Sequence, residues 1–129
     1  MTLPENVQGL RILVVGETFL IAEAIRAQLE SCGCKVVGPA AQVARAMELA
    51  SDYALDGAVL DVNIDDDLSF PVAAALQERG VPVVFLTAYE DASLIPTELR
   101  SLPRLSKFSD YDELTAVLAT NCCRREPRI

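Results

Sequence analysis

Five short apolar runs punctuate the chain. Each is bounded by turn residues, and after most of them apolar positions recur three or four apart. Continuous Val/Ile/Leu runs read as buried parallel strands, and the wider spacing reads as amphipathic helix. The first run, Leu10 to Val15, stops at Gly16. From Thr18, a predicted cap, Ile21, Ala24, Ile25 and Leu29 recur with Glu23, Arg26 and Glu30 opposite, and Gly33 ends the helix. Lys35 to Gly38 reads as a second strand closed by Pro39, and Val43, Met47 and Ala50 mark a second helix. The central run Gly57-Ala58-Val59-Leu60 ends abruptly in Asp61, followed by Val62-Asn63 and an acidic loop, Asp65-Asp66-Asp67. A third helix has Ser69 near its start, Pro71 in its first turn, Val72, Ala75 and Leu76 facing inward, and Gly80 at its end. Val81 to Thr87 is the clearest strand, with Pro82 at the beginning, where a missing donor is tolerated. Pro96 interrupts the stretch from Tyr89 to Arg100, so any helix there is short or irregular. Leu102 to Ser106 gives a fifth strand. Ser109 and Asp110 cap a last helix, with Asp112 and Glu113 in capping-box positions and Tyr111, Leu114, Val117 and Leu118 on its buried face.

Strands alternating with helices five times predict a three-layer α/β domain, a flavodoxin-like (βα)5 fold with a five-stranded parallel sheet in the order 2-1-3-4-5. Residues 1–9 read as a lead-in, 10–120 as the single domain and 121–129 as a frayed tail. With 51% hydrophobic residues, 129 residues are enough for one full core. No apolar run approaches the ~20 residues that cross a bilayer, and the N-terminus lacks a signal peptide's basic and apolar regions. A cytoplasmic protein away from membranes is expected. A net charge of −8, from 11 basic and 19 acidic residues, argues against nucleic acid as a partner. The absence of histidine excludes Ser-His-Asp and Cys-His catalysis within the chain. Cys32, Cys34, Cys122 and Cys123 lack the two-residue spacing of structural zinc sites and read as free thiols.

In open α/β sheets the ligand site lies outside the carboxyl ends of the strands. In the predicted order those ends carry Glu17, Asp61, Thr87 and Lys107. Two carboxylates, Glu17 and Asp61, with the backbone carbonyl of Asn63, make a hard-oxygen set suited to one Mg²⁺ that keeps several waters. The Thr87 hydroxyl and the Lys107 ammonium could receive the oxygens of a phosphoryl group placed on Asp61.

On these residues the stretch 10–120 resembles the receiver domain of bacterial two-component response regulators. Asp61 in Leu-Asp-Val-Asn matches the family's phosphoacceptor. Glu17 matches the second member of its acidic pair, Thr87 its hydroxyl and Lys107 its lysine. Residues 81–89, with Phe19-Leu20-Ile21-Ala22 and Phe70-Pro71-Val72-Ala73, are similar to a single-domain subgroup with a Phe-Ala-Thr-Gly-Tyr signature. The resemblance implies phosphorylation by a histidine kinase or phosphotransfer protein, Mg²⁺ dependence, and a switch read by a downstream protein partner. Its only catalysis is its own phosphorylation and dephosphorylation. Three positions depart from the family pattern. Gly16 stands where the first acidic residue belongs. Phe108 follows Lys107 in place of proline, so that bond is expected to be trans. Arg104 replaces a switch aromatic, leaving Tyr89 as the nearby substitute.

Each position also has a plainer reading. Asp61 could cap a loop, Thr87 could satisfy a strand end, Lys107 could be a surface lysine, and Asp65 to Asp67 could be a solvated loop without the Gly and Glu of a calcium loop. Three functions therefore stand side by side. One is a stand-alone phosphorylatable receiver, and one is a pseudo-receiver that binds partners with weak or no phosphorylation because of Gly16. The third is an enzyme or flavin carrier on the same fold. The turn Gly16-Glu17-Thr18 speaks against the third, since it has no glycine-rich phosphate loop.

Overall fold

A computed structural model describes residues 8–64, 67–87, 94–106 and 111–122. The strands are β1 (Arg11–Val15), β2 (Lys35–Ala40), β3 (Gly57–Asp61), β4 (Asn63–Ile64), β5 (Asp67–Leu68), β6 (Val83–Thr87) and β7 (Arg104–Ser106). The helices are α1 (Phe19–Ser31), α2 (Val43–Asp52), α3 (Phe70–Glu78) and α4 (Tyr111–Asn121), with one 3₁₀ turn at Thr97–Leu99. The main sheet runs β2-β1-β3-β6-β7, all parallel, which is the expected 2-1-3-4-5 order of its five strands.

Period-two alternation divides the core into two layers. Leu13, Val15, Ala58, Leu60, Val83 and Phe85 face α2 and α3, where Ala46, Leu49, Val72, Ala73 and Leu76 complete one cluster. Ile12, Val14, Val59, Val84 and Leu86 face α1 and α4, meeting Ile25, Leu29, Leu114 and Leu118. Every residue of β3 is buried, because helices cover both faces of the central strand. At the α1 end, Gly33 takes φ +92, which is the left-handed turn predicted there.

The described part of the β6–β7 crossover carries a 3₁₀ turn after Pro96, in keeping with the short or irregular helix expected there. Three details differ from the pattern reading. β2 does not stop at Pro39 but runs to Ala40, after a register irregularity opposite β1. Gly38 makes that path possible: at φ +98, a Cβ there would lie 2.8 Å from the Val14 carbonyl oxygen. Thr18 occupies the α1 N-cap but its side chain makes no capping hydrogen bond. Between β3 and α3, where an acidic loop was expected, β4 and β5 pair antiparallel as a small hairpin. The Ser109 and Asp110 caps lie outside the described residues.

The three described cysteines, Cys32, Cys34 and Cys122, are buried in the α1/α4 layer and form no disulfide with one another. Burial, with Cys32 beside it, pushes the Cys34 thiol up to about 11. At the foot of β3, Asp56 is buried and its Oδ2 accepts the Arg11 N–H at 2.9 Å. That carboxylate locks the start of β3 to the start of β1 at the edge away from the strand tips.

Candidate functional site at the strand ends

The sheet register decides which residues meet. Val15 pairs with Leu60, Asp61 with Leu86, and Thr87 with Ser106. The tips of β1, β3, β6 and β7 therefore end level with one another. Asp61 is the last residue of β3 and only 4% exposed, unusual burial for a carboxylate. Thr87 closes the neighbouring strand one step further out and is half-buried. Ser106 pairs beside it at the end of β7. Lys107 and Tyr89 lie outside the described residues, as does the Lys107–Phe108 bond.

Gly16 is the floor under Asp61. Its N–H is held by the Ala40 carbonyl at 2.9 Å. An ideal Cβ on Gly16 would stand 2.9 Å from Asp61 Oδ2 and 3.4 Å from its Cγ. The Asp61 carboxylate thus rests directly over the glycine, in space that any side chain at position 16 would contest. Glu17, one residue on, is exposed and lines an open cleft with Pro39, Ala40, Ala41, Gln42 and Arg45.

Asn63 is placed by the hairpin. Ser69 N–H donates to the Val62 carbonyl at 2.9 Å, while Asn63 faces Leu68 and Ile64 faces Asp67. In an antiparallel ladder, bonded and non-bonded pairs alternate. Asn63 and Leu68 are therefore a non-bonded pair, and the Asn63 carbonyl turns away from β5. It is therefore not spent in the hairpin ladder. Among the described residues, no group of three or more His, Cys, Asp or Glu side chains is arranged to hold a metal. Asp61, Glu17 and the Asn63 carbonyl are hard-oxygen donors, the type that Mg²⁺ accepts while water fills the rest of its octahedron.

Pattern reading did not anticipate the side chains of Asn63 and Ser69. Asn63 Oδ1 and Ser69 Oγ are buried without a hydrogen-bond partner. No signal marked them, because a two-residue strand is too short to show a period and the flanking aspartates read as solvated loop. Away from the acceptor pocket, Phe19 and Leu20, in the first turn of α1, are 70% and 79% exposed. Two large apolar side chains so open, side by side next to the strand tips, have no role in the core.

Comparison with known proteins agrees with this layout. The response regulator receiver domain family model matches residues 12–118. SdrG from Sphingomonas melonis is 36% identical, with a TM-score of 0.76 over 86% of this chain and 94% of that one. A CheY-like receiver domain from Methylobacillus flagellatus shares the fold at 19% identity and TM-score 0.74, covering 88% and 98% of the two chains. The response regulator PhyR from Brucella abortus matches at 23% identity and TM-score 0.77, over 92% of this chain and 49% of its own length. The chain thus spans about half of that relative. No curated protein matches it.

Proposed function

Because the chain belongs to the response regulator receiver domain family, we propose that Asp61 accepts a phosphoryl group from a histidine kinase or phosphotransfer protein, and that the result is read by binding to a downstream protein partner. The observation that carries this is the Asp61 carboxylate itself. It is almost wholly buried at the tip of the central strand, lying over Gly16 and opposite Leu86, one register step inside Thr87. A buried carboxylate on a rigid strand is held in one orientation, which favours attack on a docked donor.

In the transfer, an Asp61 carboxylate oxygen attacks phosphorus and the bond to the donor imidazole nitrogen breaks. The leaving imidazole keeps that electron pair and takes a proton from water. The Thr87 hydroxyl donates to one phosphoryl oxygen and the Lys107 ammonium to another. Asp61, Glu17 and the Asn63 carbonyl would hold Mg²⁺, which would supply neutralisation of charge on donor and acceptor. Contacts of Thr87 and Lys107 with the phosphoryl group then shift the population between two conformations. The readout surface is α4, β7 and the 89–100 segment, with Tyr89 in place of the absent aromatic at Arg104. Phe19 and Leu20 offer the apolar contact that a helical phosphodonor would cover. The acidic surface and the lack, among the described residues, of a helix long and apolar enough to cross a membrane fit a cytoplasmic protein that binds proteins rather than nucleic acid.

Labelling with phosphoramidate, followed by intact mass, tests the assignment. One Mg²⁺-dependent phosphoryl addition per chain is expected, and it is absent in Asp61→Asn. Gly16 favours a second reading, since it removes one acidic residue from the metal side. In that reading the chain is a pseudo-receiver, an interaction module with weak or no phosphorylation. Wild-type protein that stays unlabelled at high Mg²⁺ selects it.

A further inference from the structure

Ser69 joins the hairpin to α3, and its backbone is fully engaged. Its N–H donates to the Val62 carbonyl at 2.9 Å, and its own carbonyl accepts the N–H groups of Val72 at 3.0 Å and Ala73 at 3.1 Å. The side chain is treated differently. It is 0% exposed and its hydroxyl has no hydrogen-bond partner. A serine at an N-cap ordinarily accepts an N–H from the second or third helical residue. Here Pro71 has no N–H to give, and the Val72 N–H is already taken by the Ser69 carbonyl. The sequence has removed the donors that its own capping residue would use.

Asn63 Oδ1 is in the same position, buried and without a partner. Among the described residues, the two buried side-chain oxygens lacking a partner both fall in the connection that leaves Asp61. Such atoms are rare because each has given up water and gained nothing. Val62 alone separates Asp61 from the hairpin, and its carbonyl is tied to Ser69. A shift of the backbone at Asp61 therefore reaches Ser69 through one covalent step and one hydrogen bond.

We propose that Ser69 is a positioning residue for the acceptor, whose hydroxyl is unpaired in the resting conformation and gains a hydrogen bond when the hairpin moves with the phosphorylated Asp61. The proposal rests on the assignment of Asp61 as acceptor. A bond unmade at rest and made after transfer biases the switch, since it destabilises only the resting state.

Ser69→Ala separates this from ordinary packing. Thermal unfolding is followed with and without Mg²⁺ and beryllofluoride, and the apparent beryllofluoride affinity is measured for both proteins. The variant should be at least as stable as wild type without ligand, because it loses an unpaired buried hydroxyl. Its beryllofluoride affinity should fall about fivefold, the value of one hydrogen bond, with a smaller stabilisation on binding. Equal responses in the two proteins overturn the role of Ser69 and leave Asp61 untouched. A variant that is less stable at rest also overturns it, because the hydroxyl then has a resting partner. A wild-type protein that gives no response removes the Asp61 assignment, and this inference with it.

Discussion

Replacing Gly16 with alanine adds one methyl group at the point where the acceptor is held. The ideal Cβ would lie 2.9 Å from Asp61 Oδ2, 3.4 Å from Cγ and 3.8 Å from Oδ1. Unstrained contacts begin near ~3.5 Å, so the nearer oxygen must withdraw by about half an ångström. Asp61 is 4% exposed, and its neighbours leave little room for that movement. A displacement of about 1 Å can cost on the order of a hundredfold in rate, so half of that predicts roughly a tenfold slower transfer. Stability should change little, within about 1 kcal/mol, because the entropy gained by removing a glycine offsets part of the crowding. The assay is the initial rate of phosphoramidate labelling at saturating Mg²⁺, by intact mass, beside a thermal melt monitored by circular dichroism. Gly16→Asp in the same assay supplies the contrast. If Gly16 mattered only as a missing metal ligand, alanine would be silent and aspartate would accelerate labelling. That pair of results would refute the steric reasoning.

Two further outcomes follow from the packing at the other end of the sheet. A Cβ on Gly57 would fall on the Cys122 sulfur and stand 3.2 Å from Ile12 Cδ1, all of them in the core. Gly57→Ala should therefore cost about 1–3 kcal/mol and lower Tm by roughly 5–10 °C, most of it returned by adding Cys122→Ala. The Cys34 thiol, raised from its ordinary 9.0 to about 11 by burial and by Cys32, favours the neutral form in the folded chain. Its contribution is complete below pH 9 and lost as pH rises toward 11, so urea-unfolding free energy should fall across that range and fall less steeply in Cys34→Ala.

The sheet could be read from the sequence because its strands obey a strong constraint. A strand covered on both faces must be apolar throughout, so residues 57–60 and 83–86 announce themselves without homologues. Right-handed crossovers then leave few topologies, and in the flavodoxin-like order 2-1-3-4-5 the tips of β3 and β6 adjoin. That is how Asp61 and Thr87, 26 positions apart, come to lie on adjacent strand tips. The hairpin was hidden for the opposite reason. Two-residue strands are too short to show a period, and three consecutive aspartates look like solvated loop whether or not their flanks pair. The path of β2 past Pro39 was also illegible. It depends on Gly38 slipping against the Val14 carbonyl, a contact between strands and not a local preference. The orphaned Ser69 hydroxyl lies further still from the reach of pattern, since a serine before Phe70-Pro71 looks like a cap until the Val72 N–H is seen to be taken.

Gly16 has two physical consequences that pull on the chemistry in different directions. Losing a carboxylate weakens the attraction for a hard cation, which taken alone points toward the pseudo-receiver. Losing a side chain lets the Asp61 carboxylate settle over the backbone of β1 and stay almost wholly out of water. A buried carboxylate gains more from a bound cation than an exposed one does, because the same charge acts through a medium of lower effective dielectric. The deficit in ligands is thus partly offset by the environment of the ligand that remains. On the proposed assignment, Asp61, Glu17 and the Asn63 carbonyl would then bind Mg²⁺ with weaker affinity than a full acidic pair. It follows that Mg²⁺ affinity and labelling rate need not move together in this protein. A variant at position 16 that tightens the metal while dislodging Asp61 would bind better and react more slowly.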